Sequence, residues 1–324
     1  DQYIVDDSIT KYYEGIEDDD DFENIEIEGQ YDIEIEKVDA KDESKKLKDV
    51  EFSIESIIRD NTSNTVIPIS NTYKTNEEGK INLPTQAINS TNTNCKDEYN
   101  IEEISLGSNS YVKLKYPITL KVTKTITNDG EYKLSKFELD GNDLTQAAIN
   151  RDDPKNIRKY LAYDEAGNRV NINVNLDEQN NKLYIKIDNN PLEDISLNVK
   201  KVDMDDDNKI LENAEFKVTG PDGNNIPMEK GKLDFTIEKA ELNKEYQFSI
   251  EETKAEDLYY NLFEGLKIIL DIKTNGQGKI DSANLIIQGN DDNKINEALK
   301  ALSASVNEAR NNIELIIKNP QMKQ

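Results

Sequence analysis

Three residue types recur twice, in one order, along this chain: a lysine, a glutamate and an asparagine, each ending an apolar stripe. In "IEIEKVD", Ile33, Ile35 and Lys37 share one side of a strand, and in "LNVKKVD" Leu197, Val199 and Lys201 do the same. Tyr99, Ile101 and Glu103 form the second stripe of the first set, matched by Phe248, Ile250 and Glu252. The third stripes are Leu183, Ile185, Ile187 and Asn189, then Ile313, Leu315, Ile317 and Asn319.

Burial disfavours charge, so a lysine in an apolar interior drifts toward a neutral amine and a glutamate toward the neutral acid. A neutral amine is a nucleophile. Its attack on the carboxamide carbon, with the acid polarising the amide carbonyl and shuttling the proton, expels ammonia and leaves a Lys–Asn isopeptide bond. Each set reacts once, on itself, so this chemistry is single-turnover self-crosslinking and not enzymatic turnover. Two plainer readings stand beside it. A buried Lys–Glu ion pair with the asparagine as hydrogen-bond partner uses the same residues. A single bulge, moreover, flips the parity of a stripe and removes a member from the set.

The sets sit in a chain that aligns with itself. "IEIEKVDAKDESKKLKDVEFSI" (33–54) matches "LNVKKVDMDDDNKILENAEFKV" (197–218) without a gap, "EYNIEEIS" (98–105) matches "EYQFSIEETK" (245–254), and "LYIKIDNNP" (183–191) matches "LIIKNP" (315–320). Two tandem domains follow, 31–190 and 192–320, joined by "NNPLED", which Pro191 stiffens. Residues 1–30, with their run "GIEDDDDFENIEIEGQ", read as an acidic linker or the end of a preceding domain, and 321–324 as a tail.

Runs rich in Val, Ile, Tyr and Thr predict strands at 31–38, 49–57, 111–116, 118–126, 183–188, 195–202, 214–218, 246–251, 266–272 and 313–318. "NDG", "PDG" and "TNGQG" mark turns between them. Many short antiparallel strands indicate an all-β fold of tandem β-sandwiches. Short helical insertions are expected at 293–312, where Ile295, Leu299, Leu302 and Val306 keep helical spacing behind Asp292 or Asn293 as cap, and in "DLTQAAINRDDPKNIRKYLAY".

The segments "KVD…L…AEF", "YQFSIEETKAEDLYY" and "IELIIKN" resemble the collagen-adhesin B-type (Cna-B, or SpaA-like) domain of Gram-positive surface proteins. The resemblance implies a transthyretin-like or inverse-immunoglobulin β-sandwich, used as a stalk or pilus module and closed by a self-formed Lys–Asn bond with a glutamate catalyst. Carried over by motif, the second copy links Lys201 to Asn319 with Glu252 as catalyst, and the first links Lys37 to Asn189 with Glu103. The second copy lacks the family's Pro and Gly after Ala255, and "EEISLGSNSY" in the first lacks the Thr-Lys-Ala-Pro run. The setting implied is extracellular, on a wall-anchored adhesin or pilus-associated protein whose anchor lies outside this segment. The other domains of that surface protein are the partners, and no cofactor is needed.

Composition narrows the alternatives. Asp and Glu outnumber Lys and Arg 66 to 40, for a net charge of −26, which repels nucleic acid and anionic membrane. No apolar run reaches the ~18–20 residues that span a bilayer. Without a starting Met or a leader-type segment, the sequence reads as an excised fragment. The absence of histidine removes the usual shuttle of Ser-His or Cys-His hydrolysis. The lone Cys95 forms no intrachain disulfide and reads as an incidental loop thiol. "DMDDDN" sets Asp203, Asp205 and Asp207 at alternate positions, but Asn208 and Ala214 depart from a calcium loop, so an acidic turn and no metal is expected. A glycan-active enzyme needs paired carboxylates in a cleft, and no constellation supports one. The alternative function is a ligand-binding adhesin module that recognises a host extracellular matrix protein or glycan through the insert 117–182.

Overall fold

The structure, a computed structural model, describes residues 29–60, 65–92, 94–145 and 160–323. The acidic run 1–28 and residues 146–159 of the expected broken helix lie outside the described residues.

Alternating apolar side chains give each strand one buried face, and pairs of sheets bring those faces together. Residues 30–189 form two sheets. One runs in the order 160–163, 169–177, 182–189, 30–39, 80–82; the other runs 65–74, 51–60, 96–105, 118–126, 132–139, 142–143. Ile33 and Ile185 of the first meet Phe52, Ile101 and Leu120 of the second in a common core. Residues 195–319 repeat the plan. Here the order is 232–237, 195–203, 312–319, 302–306, facing 225–226, 215–219, 245–254, 267–274, 280–288, with Leu197, Leu315, Phe248 and Leu270 between. The fold is all-β, in tandem sandwiches. Among the described residues no helix is long and apolar enough to cross a membrane.

In each sandwich the opening strand lies parallel to the closing one: Gln30–Asp39 on Lys182–Asn189, and Ile195–Asp203 on Asn312–Asn319. A parallel pair needs a crossover, and here the crossover is the whole remainder of the sandwich.

Three expectations change. The run 117–182, expected as a long insert, contributes its described strands to the sandwich itself: 118–126, already expected as a strand, and 132–139 continue one sheet, and 169–177 continues the other. These strands hold the places that 267–274, 280–288 and 302–306 hold in the second sandwich. The expected strand 111–116 makes only two isolated bridges, Tyr111 to Pro191 and Leu114 to Asp164. The expected helix 293–312 is shorter, Asp292–Lys300, and the side chain of Asp291 caps it by accepting the Asn293 and Lys294 N–H groups. Leu302–Val306 instead pairs with Asn312–Asn319, because a helix running on to 312 would leave the edge of that closing strand bare. Cys95, expected as an incidental loop thiol, does lie in a connection before the strand Lys96–Ser105, and it is buried there, its thiol 3.9 Å from the Arg59 carbonyl.

Candidate functional site

Lys201 is held by its backbone before its side chain does anything. Its N–H donates to Gly231 O at 2.8 Å and its C=O accepts from Leu211 N at 2.9 Å. Lys201 lies opposite Ile317, and Asn319 opposite Asp203, so Lys201 and Asn319 point the same way from neighbouring strands. Glu252 comes from the facing sheet, where Phe216 is its register partner beside a bulge at Glu215/Phe216. Lys201 Nζ donates to Glu252 Oε2 at 2.9 Å, and Asn319 Nδ2 donates to Glu252 Oε1 at 2.8 Å. One carboxyl therefore bridges the amine and the amide.

The pocket is dry. Lys201 and Asn319 expose no surface, Glu252 is buried, and the Phe263 and Phe216 rings lie 4.8 and 5.8 Å from Nζ. Burial lowers the Lys201 pKa to about 8 against the upward pull of Glu252. Burial likewise raises the Glu252 pKa, while Lys201 and Asn319 hold it down. Both groups are pushed toward their neutral forms. The amide oxygen has its own donor, the Leu262 N–H, 3.3 Å from Asn319 Oδ1.

The first sandwich builds the same group with different details. Lys37 and Asn189 are fully buried, Glu103 nearly so, and the opening and closing strands keep the same offset. Lys37 Nζ is 2.8 Å from Glu103 Oε2, in contact but without the direction of a hydrogen bond. Asn189 Nδ2 donates to Glu103 Oε1 at 2.8 Å and to the Val112 carbonyl at 2.9 Å. The Leu114 N–H, in the place of Leu262, points to Glu103 Oε1 at 3.4 Å, and Asn189 Oδ1 has no hydrogen-bond partner among the described residues. Burial lowers the Lys37 pKa, opposed by Glu103 and Asp188. A bulge at Glu51/Phe52 sits where the second sandwich has its own.

All six residues singled out from the sequence thus gather in two groups of three. One expectation changes: the carboxyl faces the amide nitrogen and not the carbonyl. The sequence reading missed the backbone groups of Val112, Leu114 and Leu262, which no side-chain pattern reveals. It also missed a third buried lysine. Lys124 Nζ lies 3.1 Å from Asp97 Oδ2, which also accepts the Tyr31 hydroxyl at 2.6 Å, while Arg59 N–H donates to Asp97 Oδ1 at 2.9 Å. Its signal was present, since Leu120, Val122 and Lys124 alternate toward an amine. Burial, reinforced by Tyr99 and Asp97, raises the Tyr31 pKa and keeps its hydroxyl a donor. None of the groups that hold Asp97 is a carboxamide, so this set is an ion pair.

No protein-family model matches the chain, and no curated protein does. Solved structures do. A C-terminal fragment of the pilus adhesin SpaC from Lactobacillus rhamnosus GG is 16% identical, with a TM-score of 0.46, over 91% of this chain and 99% of its own. The open conformation of SpaC gives 16% and 0.44 over 91% of this chain, which spans 32% of SpaC. The shaft pilin SpaA of the same organism gives 12% and 0.27, over 91% of this chain and 98% of its own.

Proposed function

We propose that this chain is a load-bearing stalk segment of an extracellular adhesin or pilus-associated protein, in which each sandwich, 31–190 and 192–320, is locked by an autocatalytic Lys–Asn isopeptide bond. The observation that carries this reading is the bridging carboxyl: twice, one buried glutamate touches both a buried amine and a buried carboxamide. The motif resemblance supplies the surface setting.

The step balances. The neutral Lys201 amine attacks Asn319 Cγ, forming the Nζ–Cγ bond, while the Leu262 N–H holds the oxygen on which charge develops. Glu252 takes a proton from Nζ at Oε2 and delivers one to Nδ2 at Oε1. The Cγ–Nδ2 bond breaks, ammonia leaves, and the carboxyl is regenerated. Lys37, Glu103 and Asn189 take the same parts.

The position of the bond explains its use. Tension entering the first sandwich at Gln30 crosses from Lys37 to Asn189 and bypasses everything between. In the second it crosses from Lys201 to Asn319. Each tie closes more than a hundred residues, worth roughly 4–5 kcal/mol by the chain-entropy account of crosslinks. Intact mass spectrometry tests the reading. Two bonds make the chain lighter than its sequence by two molecules of ammonia, and an unmodified mass refutes the covalent claim.

A further inference from the structure

The two sandwiches end in the same small ladder, and among the described residues only one of the two ladders is covered. At the end of the first, Val112 N–H donates to Asn190 O at 2.9 Å, Leu192 N–H donates to Ser110 O at 2.8 Å, and Tyr111 bridges to Pro191. At the end of the second, Tyr260 N–H donates to Pro320 O at 3.0 Å, Met322 N–H donates to Leu258 O at 2.8 Å, and Tyr259 bridges to Gln321. The central tyrosines are pinned alike, Tyr111 to Asp39 at 2.9 Å and Tyr259 to Asp203 at 2.6 Å. Ser110, Val112 and Leu192 therefore correspond to Leu258, Tyr260 and Met322. Strand alternation turns these flanking residues away from the tyrosine and out of the sandwich end.

In the first sandwich that outward face is a joint. Val112 and Leu192 are 5% and 7% exposed, cluster with Ala166, and carry Leu242 of the second sandwich. The loop bearing Leu242 is fixed by Ala240 N–H to Glu193 O and by Lys239 N–H to the Asp194 side chain, each at 2.9 Å. The corresponding face of the second sandwich is exposed among the described residues and more apolar. Leu258, Tyr260 and Met322 are 63%, 52% and 42% exposed. Side chains of this size gathered at one spot signal a contact surface.

We infer that this face is the docking surface for a further β-sandwich unit carried in series, seated through a loop like Ala240–Leu242. Continuity with the existing joint selects that occupant, because the same backbone ladder already carries such a unit one step earlier in the chain. The inference holds whether or not the isopeptide bonds form.

The chain has three methionines, so the methyl signal of Met322 reports on this face. The test compares the full chain with one in which a copy of residues 193–324 follows Met322, restoring the Leu192–Glu193 spacing. Broadening of the Met322 methyl by a soluble nitroxide should be strong in the chain as it stands and several-fold weaker in the extended one. A folded extension that leaves Met322 equally accessible overturns the inference. So does protection that grows with concentration in the unextended chain, which puts a second copy on this face. A second test is independent of the extension. Met322→Asp should leave thermal melting unchanged, whereas Leu192→Asp should loosen the joint between the sandwiches. A Met322→Asp chain that melts earlier shows these side chains serving their own unit, and overturns the inference.

Discussion

Lys201 and Asn319 lie on adjacent parallel strands two residues out of register, Lys201 opposite Ile317 and Asn319 opposite Asp203. Because residues two apart share a face, the amine and the carboxamide meet on the core side, where Glu252 reaches both. Replacing Glu252 with glutamine keeps the shape and removes the proposed proton carrier. Glu252→Gln is expected to lose the bond of the second sandwich alone. Its mass then shows one ammonia lost, and proteolysis yields one branched peptide, containing Lys37 and Asn189. A Glu252→Gln chain with both branched peptides refutes the shuttle.

The force path gives a second expectation. Pulled by its ends, the native chain should show no sawtooth from either sandwich, since with the proposed bonds formed the stretched route runs through them. In Asn319→Ala the second sandwich opens, with a contour gain of ~3.3–3.6 Å for each freed residue beyond Lys201. The same substitution should lower its stability to denaturant by roughly 4–5 kcal/mol. An Asn319→Ala chain that stretches like the native one removes the mechanical role.

Asn319→Ala also exposes the titration that the proposed bond would conceal. In the unbonded pocket burial holds Lys201 near a pKa of about 8, against 10.5 for the free side chain. Between those values the unfolded chain carries the extra proton, so the stability of this variant should rise with pH from about 8 to about 10.5. For one proton the slope stays below about 1.4 kcal/mol per pH unit. Glu252, with its pKa raised, acts in the opposite sense: the stability it adds is present at low pH and lost as pH rises from the carboxylate range through its raised value. Denaturant midpoints across pH check both limbs. A flat alkaline limb contradicts the buried neutral amine.

Lys124 supplies the contrast. Its partner Asp97 accepts a backbone N–H at one carboxyl oxygen and the Tyr31 hydroxyl at the other. Asp97→Ala should therefore cost about 3–5 kcal/mol by stranding a buried ammonium, with the ammonia deficit of the chain unchanged. A smaller deficit in Asp97→Ala would instead tie Lys124 to the crosslinking chemistry.

Side-chain alternation explains why so much of the site is legible in the sequence. A lysine at the end of the Ile33, Ile35 stripe must enter the core if those two do, and the internal repeat supplies the matching strands. The bulges at Glu51/Phe52 and Glu215/Phe216 fall outside the three stripes, so parity survives. What stayed hidden is carried by backbone. The Leu262 N–H that meets Asn319 Oδ1 follows from the course of a loop, and a run as short as "YLAY" (160–163) fits a helix end or a sheet strand equally well by its own pattern. Leu302–Val306 alternates as readily at helical as at strand spacing, and only the open edge of Asn312–Asn319 decides between them.

Backbone positioning yields the last expectation. Gly231 accepts the Lys201 N–H, and at φ +70° its missing Cβ would lie 2.6 Å from the Leu211 carbonyl oxygen. The adjoining Leu211 N–H donates to Lys201 O, so an added methyl forces apart the two contacts that aim the lysine. Gly79 repeats this in the first sandwich, at φ +70° and 2.6 Å from Lys37 O. Gly231→Ala should therefore cost about 1–3 kcal/mol and lower the yield of the Lys201–Asn319 bond. Gly223→Ala is the matched control, because Gly223 also has a positive φ but faces open space. It should carry the conformational cost alone and leave the bond yield intact. Equal bond yields in the two variants, read by mass, would mean that Gly231 serves the turn and not the aim of Lys201.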